Sequence, residues 1–469
     1  MTIASWEDFA AQKVALMGSA LENTSLIPHL LQHGASVTVC EWNEKRAASV
    51  KATFPRVELS TGEHYLEGLD RFDALFRSPG FPVATVENAL ADSKSKPLVS
   101  SATDLFLTLT KSVVIGVTGS KGKGTTCTMI GSILDAAGKK VVVAGNIGRP
   151  IFDLYNDLTK DTVVVLELSS FQLEDLHHSP SIAVVLAIAK NDHLSPLSDD
   201  SPNFHTSVND YVAAKAHITL FQTAQNRLIY VADNDYATSI AQVAKSKKIA
   251  ISQFSATAAD FFVDPNGVVW ERNRELVDLA QLGLKGQHVF LNATVAIATS
   301  TVLKCREVDI AQGIVNFRPL PHRLEQFMEH NGVVYVDDSY ATAPEAAIAA
   351  IHTFTDPIIW IAGGSTKGAS FDELARAVAA STVKQAILIG QEGGTIRESL
   401  SHFAQNLPVE MPKTLAEAVK FARAAARRGD VVLLSPACAS KDMFQNAADR
   451  GEQFKELVQN VNPKSQNEN

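Results

Sequence analysis

Cysteine is scarce in this sequence, and an excess of positive charge is absent. The four cysteines among 469 residues are scattered and lack the spacing of metal ligands, which favours free buried thiols in a reducing compartment over a disulfide framework or a zinc site. The formal net charge is −9, so the chain has no basic footprint for nucleic acid, whereas small anionic ligands are not excluded. We therefore expect no nucleic-acid partner.

Long apolar runs are also missing. No run approaches the roughly 18 residues that a membrane-spanning helix requires, and residues 1–13 lack the pattern of a signal peptide. We therefore expect a cytoplasmic protein without a membrane partner. A length of 469 residues exceeds what one hydrophobic core supports, so two or three domains are expected.

The most informative segment is residues 113–126, VVIGVTGSKGKGTT. Its β-branched start predicts a buried parallel strand, which leads through a glycine-rich loop into a helical pattern. Backbone N–H groups of such a loop bind phosphate, a lysine adds positive charge, and a threonine hydroxyl can bind magnesium. Gly124 occupies the usual hydroxyl position, so either Thr125 or Thr126 would take that role. The predicted nucleotide-binding residues are Gly119, Ser120, Lys121, Gly122, Lys123, Gly124, Thr125 and Thr126.

Alternating strand and helix patterns along the chain predict an α/β fold with three domains. These are a Rossmann-like N-terminal domain (1–110), a central P-loop ATPase domain with a mostly parallel sheet (111–318), and a Rossmann-like C-terminal domain (319–469). The prolines of FRPLPHRLE mark the second boundary. The first βα turn has one glycine, so the fingerprint of a dinucleotide site is absent.

Polar residues follow the predicted strands at their carboxyl ends, where open α/β sheets bind ligands. In the central domain these are Asn146, Glu167 with Ser169, and His193. In the first domain, Glu41 and Ser78 hold equivalent positions.

Nine motifs occur in a characteristic order: TGSKGKGTT, GNIG, LELSSFQLE, DHL, YVAAK, LPHRLE, DDSYAT, GGSTKGASF and LLSPACAS. Together they resemble the Mur ligase family, and within it the branch that joins D-glutamate to UDP-N-acetylmuramoyl-L-alanine. The resemblance covers the central and C-terminal domains throughout and the N-terminal domain only loosely. It implies an ATP- and Mg²⁺-dependent acid–amino-acid ligase that forms an acyl phosphate. Such an enzyme serves peptidoglycan synthesis, and so cell shape and division, as a monomer acting on small molecules.

The resemblance also implies the reaction residues: Lys123, Glu167, His193, Lys215 and Arg323. Lys123 and the loop N–H groups would neutralise the ATP phosphates. Thr125 and Glu167 would hold one magnesium ion, and His193 a second, helped by a carbamylated Lys215. Arg323 would reach the γ-phosphate.

Further ATP contacts implied by the resemblance are Asn292, near the adenine, and Asp338, at the ribose. The implied substrate-binding residues are Leu21, Glu22, Glu41, Ser78, Asn146, Ser169, Thr342, Lys367 and Ser440. Leu21, Glu22, Glu41 and Ser78 are positional candidates for the uridine diphosphate. Thr342, Lys367 and Ser440 match positions around the glutamate, whose carboxylates they would receive.

Several positions depart from the family pattern. Tyr340 replaces a lysine, Val289 replaces an asparagine, and Lys441 adds a cation after ACAS. Other interpretations therefore stay open: a sister ligase that adds L-glutamate to the same precursor, a ligase similar to folylpolyglutamate synthase, or a non-catalytic nucleotide-binding protein. Without the resemblance, Lys215 would be an exposed helical lysine and Glu167 a charge at a helix N-terminus.

Overall fold

The computed structural model describes residues 3–93, 95–145, 149–190, 203–257, 259–318, 321–342, 344–365 and 370–460. The chain divides into two compact units, residues 1–317 and 318–469. The described residues contain three sheets, and all three are mostly or wholly parallel, which confirms the predicted α/β class. Among the described helices, none is both long and apolar enough to cross a bilayer.

The first sheet is wholly parallel and has the strand order β3-β2-β1-β4-β5. Its elements are β1 (Lys13–Met17), α1 (Leu21–Gln32), β2 (Ser36–Glu41), α2 (Glu44–Thr53), β3 (Glu58–Thr61), β4 (Ala74–Arg77), α3 (Val83–Ala89), β5 (Leu98–Ser101) and α4 (Ala102–Leu109). The order reverses between β1 and β4, as in a Rossmann-like fold, and ligands bind beside such a switch point.

The second sheet has nine strands in the order β14-β13-β12-β11-β10-β9-β6-β8-β7. Its elements are β6 (Val113–Thr118), α5 (Lys123–Ala136), β7 (Val141–Gly145), β8 (Val163–Glu167), α6 (Ser170–Leu173), β9 (Ile182–Val185), α7 (Val208–Leu220), β10 (Arg227–Val231), α8 (Asp235–Val243), β11 (Lys247–Ser252), β12 (Phe261–Val263), β13 (Val268–Glu271), β14 (Arg274–Asp278), α9 (Gln287–Val302) and α10 (Glu307–Asn316). The seven strands β6 to β12 pair in parallel with one another in this order. The pair β12–β13 is antiparallel and forms a hairpin.

The third sheet, in the second unit, has the order β15-β16-β20-β17-β18-β19, with only the β15–β16 pair antiparallel. Its elements are β15 (Glu325–His330), β16 (Val333–Asp337), α11 (Pro344–Ile351), β17 (Ile358–Gly363), α12 (Asp372–Ala379), β18 (Val383–Ile389), α13 (Gly393–Phe403), β19 (Val409–Glu410), α14 (Leu415–Ala425), β20 (Val431–Leu434) and α15 (Ala447–Gln459).

One apolar cluster joins the first and second sheets into a single unit. Phe106 of α4 and the ring of Trp6 both contact Phe152, at centroid distances of 6.3 and 5.9 Å. The same buried cluster extends from Val14 in the first sheet to Val164 in the second. Burial of this apolar surface holds the two sheets together, because each would otherwise expose it to water.

Candidate active site

The phosphate loop connects β6 to α5, and its backbone requires glycine at two positions. Gly119 has φ +144° and Gly122 has φ +81°. A Cβ atom would lie 2.6 Å from the Leu186 Cβ at the first position and 2.5 Å from the Asn292 Oδ1 at the second. Asn292, from α9, therefore packs directly against the loop.

Two side chains fix the shape of this loop from within. The Lys123 Nζ donates to the carbonyls of Ser120, at 2.9 Å, and Gly119, at 3.1 Å, so its charge lies against the loop backbone. The Ser120 hydroxyl forms a hydrogen bond with the Tyr211 hydroxyl at 2.9 Å and accepts another from the backbone N–H of Ala189. The hydroxyl of Ser120 thus supports the loop.

Thr125 and Thr126 both lie in the first turn of α5, but they differ in exposure. Thr126 is 0% exposed, and its hydroxyl has no hydrogen-bond partner among the described residues. Thr125 is half-buried and so is the one open to a ligand. This difference favours Thr125 as the hydroxyl that could meet a magnesium ion.

Glu167 is the last residue of β8 and lies opposite Val117 of β6 in the parallel ladder. It is buried, and α6 begins only at Ser170. The Ser169 hydroxyl caps that helix by accepting from the Gln172 N–H at 3.2 Å. The Ser169 side chain therefore caps α6, whereas the sequence analysis expected it to contact a substrate.

Lys215, on α7, is 1% exposed, so the interpretation of an exposed helical lysine is wrong. Its Nζ donates to the Gly119 carbonyl at 3.0 Å, and it lies 3.4 Å from the Thr118 Oγ1. The same ammonium lies 4.5 Å from the centroid of the Tyr211 ring. Helix α7 thereby places Lys215 directly against the phosphate loop.

A cavity of about 700 Å³ lies at the carboxyl ends of β1, β2 and β4, next to the switch point of the first sheet. The four positional candidates Leu21, Glu22, Glu41 and Ser78 all line it. Glu41 accepts from the backbone N–H and the hydroxyl of Ser19, at 3.0 and 2.6 Å. This carboxylate therefore already orders the first βα turn.

Other residues of this cavity were not assigned from the sequence: Trp42, Arg46, Tyr65, Phe81 and Gln172. Gln172, which is 2% exposed, donates from its side-chain amide to Glu22. Burial raises the pKa of the Glu22 carboxyl to about 7, against the lowering effects of the Gln172 hydrogen bond and of Arg77. Gln172 belongs to the LELSSFQLE motif, and its place in that motif is the sequence feature that could have identified it as a site residue.

Arg77 is a second unassigned residue, and it connects the first sheet to α6. It is 1% exposed, and its Nε lies 2.8 Å from the Asp175 carboxylate. Its other nitrogens donate to the carbonyls of Phe171, at 2.8 Å, and Phe81, at 2.6 Å. Because a buried guanidinium needs such partners, this cluster fixes the end of β4 against α6.

In the second unit, Arg323 lies in a turn between two residues of left-handed backbone, His322 (φ +62°) and Leu324 (φ +48°). The His322 Nδ1 lies 2.6 Å from the Asp337 carboxylate, and the Leu324 N–H donates to Asp338 at 3.1 Å. The exposed Arg323 guanidinium stacks 5.4 Å from the centroid of the Tyr340 ring. Two aspartates thus hold the turn that presents this arginine.

Asp338 is buried, and both of its carboxylate oxygens accept hydrogen bonds, one from Leu324 and one from the Ser435 hydroxyl at 2.8 Å. Burial raises its pKa to about 7, although these hydrogen bonds and Arg323 act in the opposite direction. Of the glutamate candidates, Thr342 is half-buried and Ser440 is 4% exposed. Asn146, His193 and Lys367 lie outside the described residues.

The His322, Glu325 and Asp337 side chains also form a cluster whose potential ligand atoms lie within 4.8 Å of one another. Lys455 approaches Glu325 at 3.2 Å, so a cation of the chain itself already neutralises part of this charge. The cluster therefore serves as the hydrogen-bonded support of the Arg323 turn.

Comparison with known proteins agrees with this arrangement. Residues 117–300 match the Mur ligase middle domain, and residues 322–438 match the Mur ligase, glutamate ligase domain. The chain is 37% identical to the UDP-N-acetylmuramoylalanine--D-glutamate ligase of Symbiobacterium thermophilum, over 96% of this chain and 98% of the relative. It is 35% identical to the ligase of the same name from Acetivibrio thermocellus, over 96% and 97%. The MurF ligase of Thermotoga maritima, solved in complex with ADP, shares the fold with a TM-score of 0.56 at 16% identity, over 96% of this chain and 95% of that one. The chain belongs to the Mur ligase family.

Proposed function

We propose that this chain is an ATP-dependent ligase that joins D-glutamate to UDP-N-acetylmuramoyl-L-alanine in peptidoglycan precursor synthesis. The relatives named for that activity align with nearly the whole chain. The observation that carries the proposal is the grouping of three side chains at the carboxyl ends of β6 and β8 in the second sheet. There Lys123 lies on the phosphate loop, Glu167 ends the neighbouring strand, and Lys215 is buried against the loop.

The reaction proceeds in two steps. The carboxylate of the L-alanyl group attacks the γ-phosphorus of ATP, so that an acyl phosphate forms and ADP leaves. The amine of glutamate then attacks the acyl carbon, the amide forms, and phosphate leaves while the amine loses a proton. Negative charge moves along the phosphates during the first step, and Lys123 with the N–H groups of the loop is pre-placed to stabilise it.

ATP use is supported by the loop and by the ADP complex of the related MurF ligase. We assign a magnesium ion to Thr125 and Glu167, because a hydroxyl and a carboxylate are the oxygen donors that this ion prefers. When bound, magnesium would neutralise phosphate charge. His193 would serve a second ion. Asn292, which packs against Gly122 of the loop, would lie near the adenine.

Lys215 is the residue we assign to carbamylation. Addition of carbon dioxide to its neutral amine forms a carbamate and releases one proton. The product keeps an N–H, which can still donate to the Gly119 carbonyl, 3.0 Å from the Nζ. Carbamylation thus exchanges a cation for an anion beside the loop without removing that hydrogen bond.

The remaining proposed substrate and ATP contacts are divided between the two compact units. In the first, the cavity lined by Leu21, Glu22, Glu41 and Ser78 would bind the uridine diphosphate, with Asn146 and Ser169 towards the rest of that substrate. In the second, Arg323 would serve the γ-phosphate and Asp338 the ribose. Thr342, Lys367 and Ser440 would receive glutamate. The domains we propose are 1–110, 111–318 and 319–469, in a monomer that acts on small molecules.

Phosphate release from ATP tests the proposal when UDP-N-acetylmuramoyl-L-alanine and each glutamate enantiomer are supplied separately. We expect release to require both substrates and to have the higher kcat/KM with D-glutamate. A higher kcat/KM with L-glutamate would identify the sister ligase, and activity only with a folate acceptor would identify a folylpolyglutamate-synthase-like enzyme. Nucleotide binding without any turnover would mean that catalysis has been lost.

A further inference from the structure

The cavity of about 700 Å³ is lined by two different parts of the first unit. The turn at residues 78–82, which follows β4, lines one side, and three residues from the part of the chain that forms the second sheet also line it: Gly145, Pro150 and Gln172. Gly145 lies opposite Glu167 in the parallel ladder between β7 and β8. The shape of the cavity, and its distance from Glu167, therefore depend on how the two sheets are held together.

Arg77, the last residue of β4, contacts the segments on both sides of this junction. It is 1% exposed, and its Nη1 donates to the Phe81 carbonyl at 2.6 Å and to the carbonyls of residues 78 and 79 at 3.4 Å. Its Nη2 donates to the Phe171 carbonyl of α6 at 2.8 Å. One guanidinium group thus joins the turn after β4 to the helix that carries Gln172.

The residues that follow α6 complete this contact. The Asp175 carboxylate lies 2.8 Å from the Arg77 Nε, and the Glu174 carboxylate lies 3.5 Å from the Nη2, so the buried charge is compensated. Asn203, which is 3% exposed, donates to the Pro79 carbonyl at 2.9 Å and to Glu174 at 3.3 Å. Two buried side chains, one from each part of the unit, therefore hold the turn in place.

The arrangement uses the shape of arginine as well as its charge. A guanidinium is planar and has five N–H donors in fixed directions, and here donors on all three nitrogens have partners. A lysine at this position would supply the charge from one rotatable ammonium, which does not have those directions. The position of the turn relative to α6 therefore depends on the guanidinium.

We propose that Arg77 is a positioning residue for the nucleotide substrate. By fixing the 78–82 turn to α6, it sets the distance between the cavity and Glu167, and so the place where the L-alanyl carboxylate meets ATP. Arg77 is not among the described residues that line the cavity, so it acts through the turn. The inference rests on the proposed function, because it requires a UDP-linked substrate in this cavity.

The test compares Arg77→Lys with the unmodified chain, in steady-state phosphate release and in calorimetric binding of UDP-N-acetylmuramoyl-L-alanine. Because a displacement of about 1 Å can cost on the order of a hundredfold in rate, we expect kcat/KM for this substrate to fall at least about tenfold, with a raised KM and weaker binding. The KM values for ATP and glutamate should change by less than about twofold, because their own contacts are kept.

Arg71→Lys is the matched control. Arg71 is exposed and lies before β4, in the same part of the unit but outside the described lining of the cavity. The same substitution at this position should leave the binding and the kinetics of all three substrates like those of the unmodified chain.

A merely structural role of Arg77 predicts a different result. Arg77→Lys would then lower the fraction of active enzyme, and so the apparent kcat, while the KM for every substrate stayed unchanged. That outcome, or an equal rise of all three KM values, would overturn the inference and leave the proposed function intact. Failure of both the unmodified chain and Arg71→Lys to bind the nucleotide would contradict the proposed function itself.

Asn203→Ala decides the question if circular dichroism shows that Arg77→Lys does not fold. This variant keeps Arg77 and both carboxylates but removes the hydrogen bond to the Pro79 carbonyl. Since one hydrogen bond is lost, we expect the KM for the nucleotide substrate to rise about threefold to tenfold, with the KM for ATP unchanged. An unchanged KM for the nucleotide substrate would overturn the inference.

Discussion

Replacing Gly122 with alanine tests the geometry of the phosphate loop. Gly122 has φ +81°, and an added Cβ would lie 2.5 Å from the Asn292 Oδ1 and 2.9 Å from its Nδ2. Left-handed backbone costs a residue with a Cβ about 1 to 2 kcal/mol. Crowding of a packed site adds about 1 to 3 kcal/mol. We therefore expect Gly122→Ala to lower the free energy of unfolding by about 2 to 5 kcal/mol.

The same substitution should impair ATP turnover. Either the loop or Asn292 must move to admit the methyl group, and the loop carries the N–H groups assigned to the phosphates. A displacement of about 1 Å at a reacting group can cost on the order of a hundredfold in rate. We expect kcat/KM for ATP to fall by about that factor in the phosphate-release assay, and the urea midpoint to fall in parallel.

Gly138→Ala is the matched control, because Gly138 has φ +70° but no atom within 4 Å of the added Cβ. It carries the backbone strain without the crowding and should keep its turnover. In the double variant Gly122→Ala/Asn292→Ala, the crowding partner is gone, so the combined loss of stability should be smaller than the sum of the two single losses. If Gly122→Ala and Gly138→Ala have the same stability and the same kcat/KM, the inference that Asn292 packs closely against the loop is refuted.

The sequence predicts best those strands that are buried on both faces. All six residues of β17 are buried, so the strand is a continuous apolar run, which is the pattern typical of a buried parallel strand. β15, in contrast, lies at the edge of its sheet and has two half-buried apolar residues, Phe327 and Met328, between polar ones. Such a strand has no apolar face that a sequence pattern could reveal, and the prolines before it indicate a domain boundary instead.

The same distinction applies to the site. The phosphate loop is contiguous, so its glycines, lysine and threonines could be recognised together. The burial of Lys215 depends on Gly119, 96 residues away, and so could not be read from its own helix. The partners of Gln172 and Arg77, at separations of 150 and 98 residues, were missed for that reason. Contacts between distant segments are decided by packing, which composition and spacing do not encode.

Three further predictions concern single side chains. Lys123→Ala should reduce ATP turnover at least about tenfold with a much smaller effect on the urea midpoint, because it removes phosphate-binding charge and, of the fold, only the two hydrogen bonds to the loop carbonyls. Retention of more than about a tenth of the rate would contradict its role. Lys215→Ala should lose most activity and regain part of it in formate or acetate, whose carboxylate can replace the carbamate; an unchanged rate would refute the assignment. Asp338→Asn should alter the pH dependence of stability in the second unit. The folded-state pKa of Asp338 is raised to about 7, so its stabilising contribution is present below the unfolded value of about 4 and is lost as pH rises to about 7. The asparagine variant can accept from the Leu324 N–H and donate to the Ser435 hydroxyl at any pH, so its stability should not depend on this group. Hydrogen exchange in peptides from residues 321–342, corrected for the intrinsic exchange rate, should therefore slow on acidification more in the unmodified chain than in the variant. Equal responses of the two proteins would show that Asp338 does not titrate in this range.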